Sequence, residues 1–147
     1  MDINKFLYFA YGSNMNFGQM KERCPRNRFI GKAYLEGFKF VFDGHSDTRH
    51  GAVANVIQSS GHNVEGGLFA ITESDLKSLD RSEGYPRVYN KEELTVRDEK
   101  GESFGVIVYK RIGERTGKPS KSYLNTILKG AKDCQLSKRY INEFLKE

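Results

Sequence analysis

The sequence predicts a single α+β domain, residues 1–147, whose sheet is mainly antiparallel and curled or closed on itself. Three observations carry this. Six or seven strand-like segments have few helical ones between them, which argues against a doubly wound parallel sheet. The connections between them are short, and short connections join antiparallel neighbours. A chain of 147 residues has the length of one domain and can bury about two thirds of its unfolded surface, so it needs neither disulfides nor a metal to fold.

Each element has its own local reason. Lys5 to Ala10 is dense in aromatics and reads as a buried strand ending at Gly12. Asn16 to Arg23 reads as a short helix stopped before Pro25. Arg28 to Phe42 holds two apolar stretches around Glu36-Gly37, a hairpin-like or bent strand. Asp43 to Gly51 is polar and reads as a loop. Ala52 to Gln58 and Val64 to Ile71 read as strands joined by a Ser-Ser-Gly-His-Asn turn. Thr72, with Asp75 three residues on, makes a capping-box-like start for a helix to about Ser82. Leu76 and Leu79 face its core side, and Glu83-Gly84-Tyr85-Pro86 stops it. Val88 to Arg97 and Ser103 to Arg111 form a hairpin around Asp98-Glu99-Lys100-Gly101. Gly113 to Pro119 reads as a mobile loop, and Ser120 to Lys129 and Ser137 to Lys146 as helices.

The net charge of +5 comes from Lys and Arg spread along the chain beside Glu and Asp, with no basic run of five. That pattern is a solvated mixed surface. A nucleic-acid binder would need an aromatic-basic stripe beyond the strands used for the core, and the sequence has none. No apolar run approaches the roughly 18 residues of a membrane span. Met1 to Tyr11 has an early acid and a short apolar stretch, so no signal peptide is expected. Cys24 and Cys134 lie far apart and make no metal or redox pair, which fits a reducing cytoplasm.

Several chemistries fail on spacing. Gly113-Glu114-Arg115-Thr116-Gly117-Lys118-Pro119-Ser120 has three residues between its glycines where a phosphate loop has four, and Pro119 removes an N–H. His45, His50 and His62 make no zinc signature. No Gly-x-Ser-x-Gly elbow supports a serine nucleophile. Two features are left. Tyr11-Gly12-Ser13-Asn14 is either a plain turn or a nest of backbone N–H groups for a carboxylate, aided by the positive end of the next helix. Glu83 is either an exposed helix-end carboxylate or a general acid/base. The helix terminus, the charge of Asp80 one turn earlier and the bulk of Tyr85, Pro86 and Tyr89 would all raise its pKa in a closed site.

Phe9-Ala10-Tyr11-Gly12-Ser13-Asn14, followed later by Ser78-Leu79-Asp80-Arg81-Ser82-Glu83-Gly84, resembles the gamma-glutamylcyclotransferase family. So do His50 to Val56, Val64 to Leu68, Ser122-Tyr123 and Ile127 to Lys132, in an order that holds from about Phe6 to the C-terminus. The resemblance implies a small mixed β-barrel flanked by helices, with a cavity for a γ-glutamyl group. Tyr8, Phe9, Ala10, Tyr11, Gly12 and Ser13, extending to Asn14, would bind the glutamyl α-carboxylate and shape the oxyanion site. Glu83 matches the family's catalytic glutamate, and Tyr89, Tyr109 and Tyr123 match its pocket tyrosines. Glu83-Gly84-Tyr85-Pro86-Arg87-Val88-Tyr89 has the shorter spacing, with a proline, of the bacterial and plant-type branches, whereas the tail resembles the animal branch.

The implied reaction is the closure of a γ-glutamyl amide to 5-oxoproline with release of the amine, an acyl transfer within one molecule that is also a lyase step. The substrate's α-amine is the nucleophile, so no cofactor, metal or enzyme nucleophile is expected. The partner is then a small γ-glutamyl molecule, with neither nucleic acid nor membrane, and the protein a monomer or homodimer. The leaving amine stays open among an amino acid, a dipeptide, a lysine ε-amine, a polyamine and an antibiotic precursor. It is expected at a pocket mouth near Gly113 to Pro119. A binding module of the same fold without turnover is the alternative, against which Glu83 speaks.

Overall fold

The computed structural model describes residues 3–113 and 115–145. Five strands form a closed barrel in the order β1-β3-β2-β4-β5: β1 Phe6–Ala10, β2 Arg28–Ser46, β3 Gly51–Ile71, β4 Asn90–Asp98 and β5 Ser103–Lys110. All pairings are antiparallel except that of β1 with β5, which closes the barrel in parallel through Tyr8 and Ile107. The expected mixed, mainly antiparallel barrel is therefore observed. Among the described residues four helices flank it: α1 Phe17–Arg23, α2 Glu73–Ser82, α3 Lys121–Asp133 and α4 Lys138–Tyr140, the last continued by a wider π-helical stretch Ile141–Leu145.

The strand count is five and not six or seven, because two long strands each absorb two expected pieces. Arg28 to Phe42 is one strand that runs on to Ser46, bent by register shifts at Phe29/Gly31, Glu36/Phe38 and Asp43/Ser46. The polar stretch from Ser59 joins no two strands. It stays within β3, where the register steps from Phe38↔Gln58 to Glu36↔Asn63. Polar turn residues there produce a bulge, which bends a strand without ending it. The turn between β2 and β3 is only residues 47–50.

The caps follow the sequence closely. Thr72 Oγ1 accepts from Asp75 N at 3.1 Å and Thr72 N donates to Asp75 Oδ2 at 3.3 Å, a complete capping box. Leu79 is fully buried beneath α2, and Leu76 packs at the edge of the same core. Asn16 Oδ1 caps α1 by accepting from Gln19 N. Phe17 N donates to Asp133 Oδ2 at 2.9 Å. The amino end of α1 is thus satisfied by Asn16 and Asp133, and the expected helix end facing a ligand at Gly12 is not formed. A single 3₁₀ turn, Ser13–Met15, follows Gly12 instead. Asp98 Oδ1 accepts from both Lys100 N and Glu102 N and closes the β4–β5 hairpin.

The expected mobile loop is largely pinned. Gly44 N donates to Arg115 O, Gly117 N to Phe42 O and Ala52 N to Lys118 O. Glu114 lies outside the described residues, as do Lys146 at the end of the expected last helix and Met1-Asp2 of the amino-terminal segment.

The core runs through Phe9, Leu68, Phe69 and Ile71, with Ile127 and Leu145 sealing it from the helix side. Met15, fully buried, ties the 3₁₀ turn to α3. Gly130 of α3 permits this approach, since a Cβ there would lie 2.4 Å from Asn16 N and 2.6 Å from Met15 C. Helix propensity favours Gly130→Ala by about 1 kcal/mol. Overpacking against backbone costs about 1–3 kcal/mol and decides the sign. Gly130→Ala is expected to lower the midpoint of urea unfolding, and a raised midpoint would contradict this packing.

Candidate active site

Strand β1 runs out at Ala10, and the chain turns through Gly12 along the floor of a cleft of about 550 Å³. The lining contains Tyr8, Tyr11, Gly12, Ser13, Asn14, Glu83, Tyr89, Tyr109 and Tyr123, nine of the expected site residues brought together from four parts of the chain. Phe9 and Ala10 are not among the lining. Their side chains are buried behind it, with Phe9 packed toward Gly66. Strand alternation allows Tyr8 into the cleft and turns its neighbour Phe9 away.

Glu83 owes its place to a local helix stop. It is the C-cap of α2, its N–H bonded to Leu79 O at 2.8 Å. Gly84 follows at φ +66°, with Gly84 N donating to Arg81 O and Tyr85 N to Asp80 O. This pair of bonds is a Schellman motif, and its left-handed residue favours glycine. The Tyr85–Pro86 bond that follows is cis.

Burial raises the Glu83 carboxyl above the ordinary glutamate value, and the Arg23 and Arg49 guanidiniums partly offset this. Its side chain is 17% exposed, and Arg23 Nη1 lies 3.4 Å from Oε2. The expected cause was only partly right. Asp80 accepts from Tyr109 Oη at 2.6 Å and from Lys91 Nζ at 3.0 Å, and it does not figure among the groups that shift Glu83. Tyr85 and Pro86 are exposed. Of the three bulky neighbours expected around Glu83, only Tyr89 is buried beside it.

The tyrosine hydroxyls form an ordered set. Tyr89 Oη donates to Ala54 O at 2.5 Å, while Ala54 N donates to Tyr123 Oη at 2.9 Å. Tyr11 Oη donates to Tyr109 O at 2.6 Å. Asn14 Nδ2 donates to Tyr8 Oη at 2.9 Å. The protons of Tyr11, Tyr89 and Tyr109 are therefore committed, and those of Tyr8 and Tyr123 have no acceptor among the described residues. Burial raises all five hydroxyls, Tyr123 to about 12, so they act as neutral donors.

The sequence reading missed the arginines. Arg23, Arg49 and Arg111 line the cleft, with Arg81 and Arg87 at its exposed rim. Arg49 comes from the β2–β3 turn, within the stretch expected to be a polar loop. No motif marks Arg23, Arg49 or Arg111, which the fold gathers; Arg81 and Arg87 lie within the segments around Glu83 but were given no role. The described residues of 113–119 do not line the cleft. Among the described residues no group of three or more His, Cys, Asp or Glu is placed to hold a metal ion, and no helix is long and apolar enough to cross a membrane. Both cysteines are buried, and burial pushes the Cys24 thiol up to about 12.

Comparison with known proteins agrees with this fold. A model of the AIG2-like family matches residues 63–144. The gamma-glutamylcyclotransferases of Bos taurus and Homo sapiens are each 34% identical over 144 residues, 95% of this chain and 77% of theirs. A solved structure described as gamma-glutamyl cyclotransferase superposes with TM-score 0.89 at 33% identity, over 94% of this chain and 85% of that one. YkqA from Bacillus subtilis, 24% identical with TM-score 0.74 over 97% of this chain and 56% of its own, shares the fold.

A carboxyl raised in the folded state makes folding less favourable wherever it is ionised. The penalty is full above the folded value and gone below the unfolded value of about 4.3. Glu83→Gln is therefore expected to melt at or above the wild-type temperature at pH 7.5, with the difference closing by pH 4. A variant that melts lower at pH 7.5 and recovers at pH 4 would show that the Arg23 pairing outweighs burial.

Proposed function

Because the chain belongs to the gamma-glutamylcyclotransferase family, we propose that it converts a γ-glutamyl amide to 5-oxoproline and the free amine, with Glu83 as the general acid and base. The chain is an enzyme of this class; the residue roles are our reading of the cleft. The observation that carries them is Glu83 itself, a mostly buried carboxylate with a raised pKa at the edge of a cleft lined by tyrosine hydroxyls. A base is most effective when its pKa lies near the working pH, and burial moves Glu83 that way.

The steps balance without further reagents. Glu83 takes a proton from the substrate's α-ammonium. The freed amine attacks the γ-carbonyl carbon, forming the new C–N bond and a tetrahedral oxyanion. Glu83 then gives its proton to the leaving nitrogen as the oxyanion collapses and the old C–N bond breaks, and the second proton of the ring nitrogen passes to the departing amine, so the products are the neutral lactam and an ammonium. Proton transfer of this kind is worth about 10²–10⁴ in rate. Holding the glutamyl chain folded back on itself supplies much of the rest. The Tyr123 hydroxyl suits the oxyanion. Its oxygen already accepts from Ala54 N, so its proton is free to be donated.

The test is a panel of γ-glutamyl compounds with 5-oxoproline read by mass. Glu83→Gln is expected to lose about 10²-fold or more in kcat while substrate still binds. A fully active Glu83→Gln would end the assignment at this residue, and a wild-type protein inert on the whole panel would leave the binding module. The acid limb of the kcat profile should lie above the ordinary glutamate value of about 4.3, because the ionised form is the base.

Tyr123→Phe supplies an independent measurement. Removal of one oxyanion donor lowers kcat by about 10²-fold or more with little change in KM. A change confined to KM would place Tyr123 in ground-state binding instead.

A further inference from the structure

Arg49 reaches the cleft from the four-residue turn between β2 and β3. Its Nη2 donates to Gln19 Oε1 at 3.0 Å and to Ser13 Oγ at 3.4 Å, and its guanidinium lies 5.0 Å from the centre of the Tyr123 ring. All these partners are neutral. Among the described residues no carboxylate lies within ion-pair distance of it, although the side chain is half-buried. Arg23, by contrast, is occupied by Glu83 and by Asn14 Oδ1 at 3.0 Å.

Ser13 completes the arrangement. Its Oγ accepts from Gln19 Nε2 at 2.8 Å and from Arg49 Nη2 at 3.4 Å. A hydroxyl has two lone pairs and one proton. With both lone pairs met by donors, the proton is left to be given outward. Gln19 fixes both members, since its amide also donates to Asn14 Oδ1 at 2.9 Å while its carbonyl holds Arg49. Beside each other at the end of β1 therefore stand a guanidinium with no carboxylate at ion-pair distance among the described residues and a hydroxyl limited to donation. Donors of this sort recognise a carboxylate.

We propose that Arg49 adds a side-chain cation to the α-carboxylate subsite that the family resemblance places at the turn of Ser13, with Gln19 as the positioning residue for both. This rests on the γ-glutamyl reading above and names side chains that discriminate for it. The α-carbon of that group bears the ammonium and the carboxylate on adjacent bonds, so the groups that receive them must be neighbours. Arg49 is near enough to Glu83 to favour its charged form. Glu83 meets the ammonium and Arg49 the carboxylate, and the cleft is matched to a zwitterionic centre.

The experiment measures binding of the product and so does not depend on turnover. 5-Oxoproline keeps the former α-carboxylate, and its carboxamide replaces it with a neutral group of the same shape. Calorimetry is expected to show that wild-type protein prefers the acid. Arg49→Gln should weaken the acid about tenfold or more, the range for a charge-assisted hydrogen bond, and leave the amide unchanged. Arg49→Lys should restore part of the preference, and Gln19→Ala should reduce it. Where a γ-glutamyl amide is turned over, KM for Arg49→Gln should rise more than kcat falls. The proposal is overturned if wild-type protein binds neither ligand or does not prefer the acid. It is equally overturned if Arg49→Gln binds the acid as tightly as wild type, or loses acid and amide alike. A protein that binds as proposed but forms no 5-oxoproline would remove the catalytic reading alone.

Discussion

The short strand β1 is the constraint on which the remainder depends. Five residues, Phe6–Ala10, pair with β3 on one side and β5 on the other, and the second pairing is the parallel contact that closes the barrel. Closure removes the sheet edges that would otherwise invite pairing with other chains. It also bends the long strands, which explains the bulges of β2 and β3. Because β1 is held on both sides, the turn at its end has a fixed origin. Tyr8, Gly12, Ser13 and Asn14 are displayed from that point, and α3 presses the 3₁₀ turn down through Met15 and Gly130.

Polar satisfaction then does the fine positioning. Ala54, near the start of β3, gives its carbonyl to Tyr89 and its N–H to Tyr123, so one peptide neighbourhood fixes two side chains from distant segments. Asp80 performs the same task for α2, holding Tyr109 of β5 and Lys91 of β4. In the sequence Asp80 looks like a charge that repels Glu83. In the folded protein its negative charge is absorbed by a lysine and a tyrosine, and its role is to anchor the helix that presents Glu83. Groups arranged before substrate arrives need no reorganisation when charge develops.

The charge of the chain also reads differently in three dimensions. The excess of five positive charges is dispersed along the sequence and has no run or stripe. The barrel nonetheless brings Arg23, Arg49 and Arg111 to one cleft, with Arg81 and Arg87 on its rim. Glu83 sits among them, raised by burial and lowered by Arg23 and Arg49, and burial is the larger effect. The carboxylate thus keeps a basicity that an exposed ion pair with the same arginines would remove.

The sequence by itself determined the local events. Thr72 with Asp75 starts α2, Gly84 ends it, Asp98 with Gly101 turns the β4–β5 hairpin, and the alternation of β1 directs Tyr8 and Phe9 to opposite sides. Each of these depends on residues within a few positions of one another, so the pattern survives in a linear reading. The Tyr-Gly-Ser-Asn turn and Glu83 were legible too, because their motifs are contiguous. Only the tertiary structure decided the rest. Whether a polar stretch is a turn or a bulge depends on the partner strand, and at Ser59 to His62 the continuity of β2 opposite settles it as a bulge. Which carboxylate is buried and which is tied off depends on side chains from β4, β5 and α1. Arg49 became a cleft residue because two strands of about twenty residues each, 19 in β2 and 21 in β3, carry their connecting turn back over the end of β1. Contacts of that kind join positions 36 apart in the chain, and no local spacing encodes them.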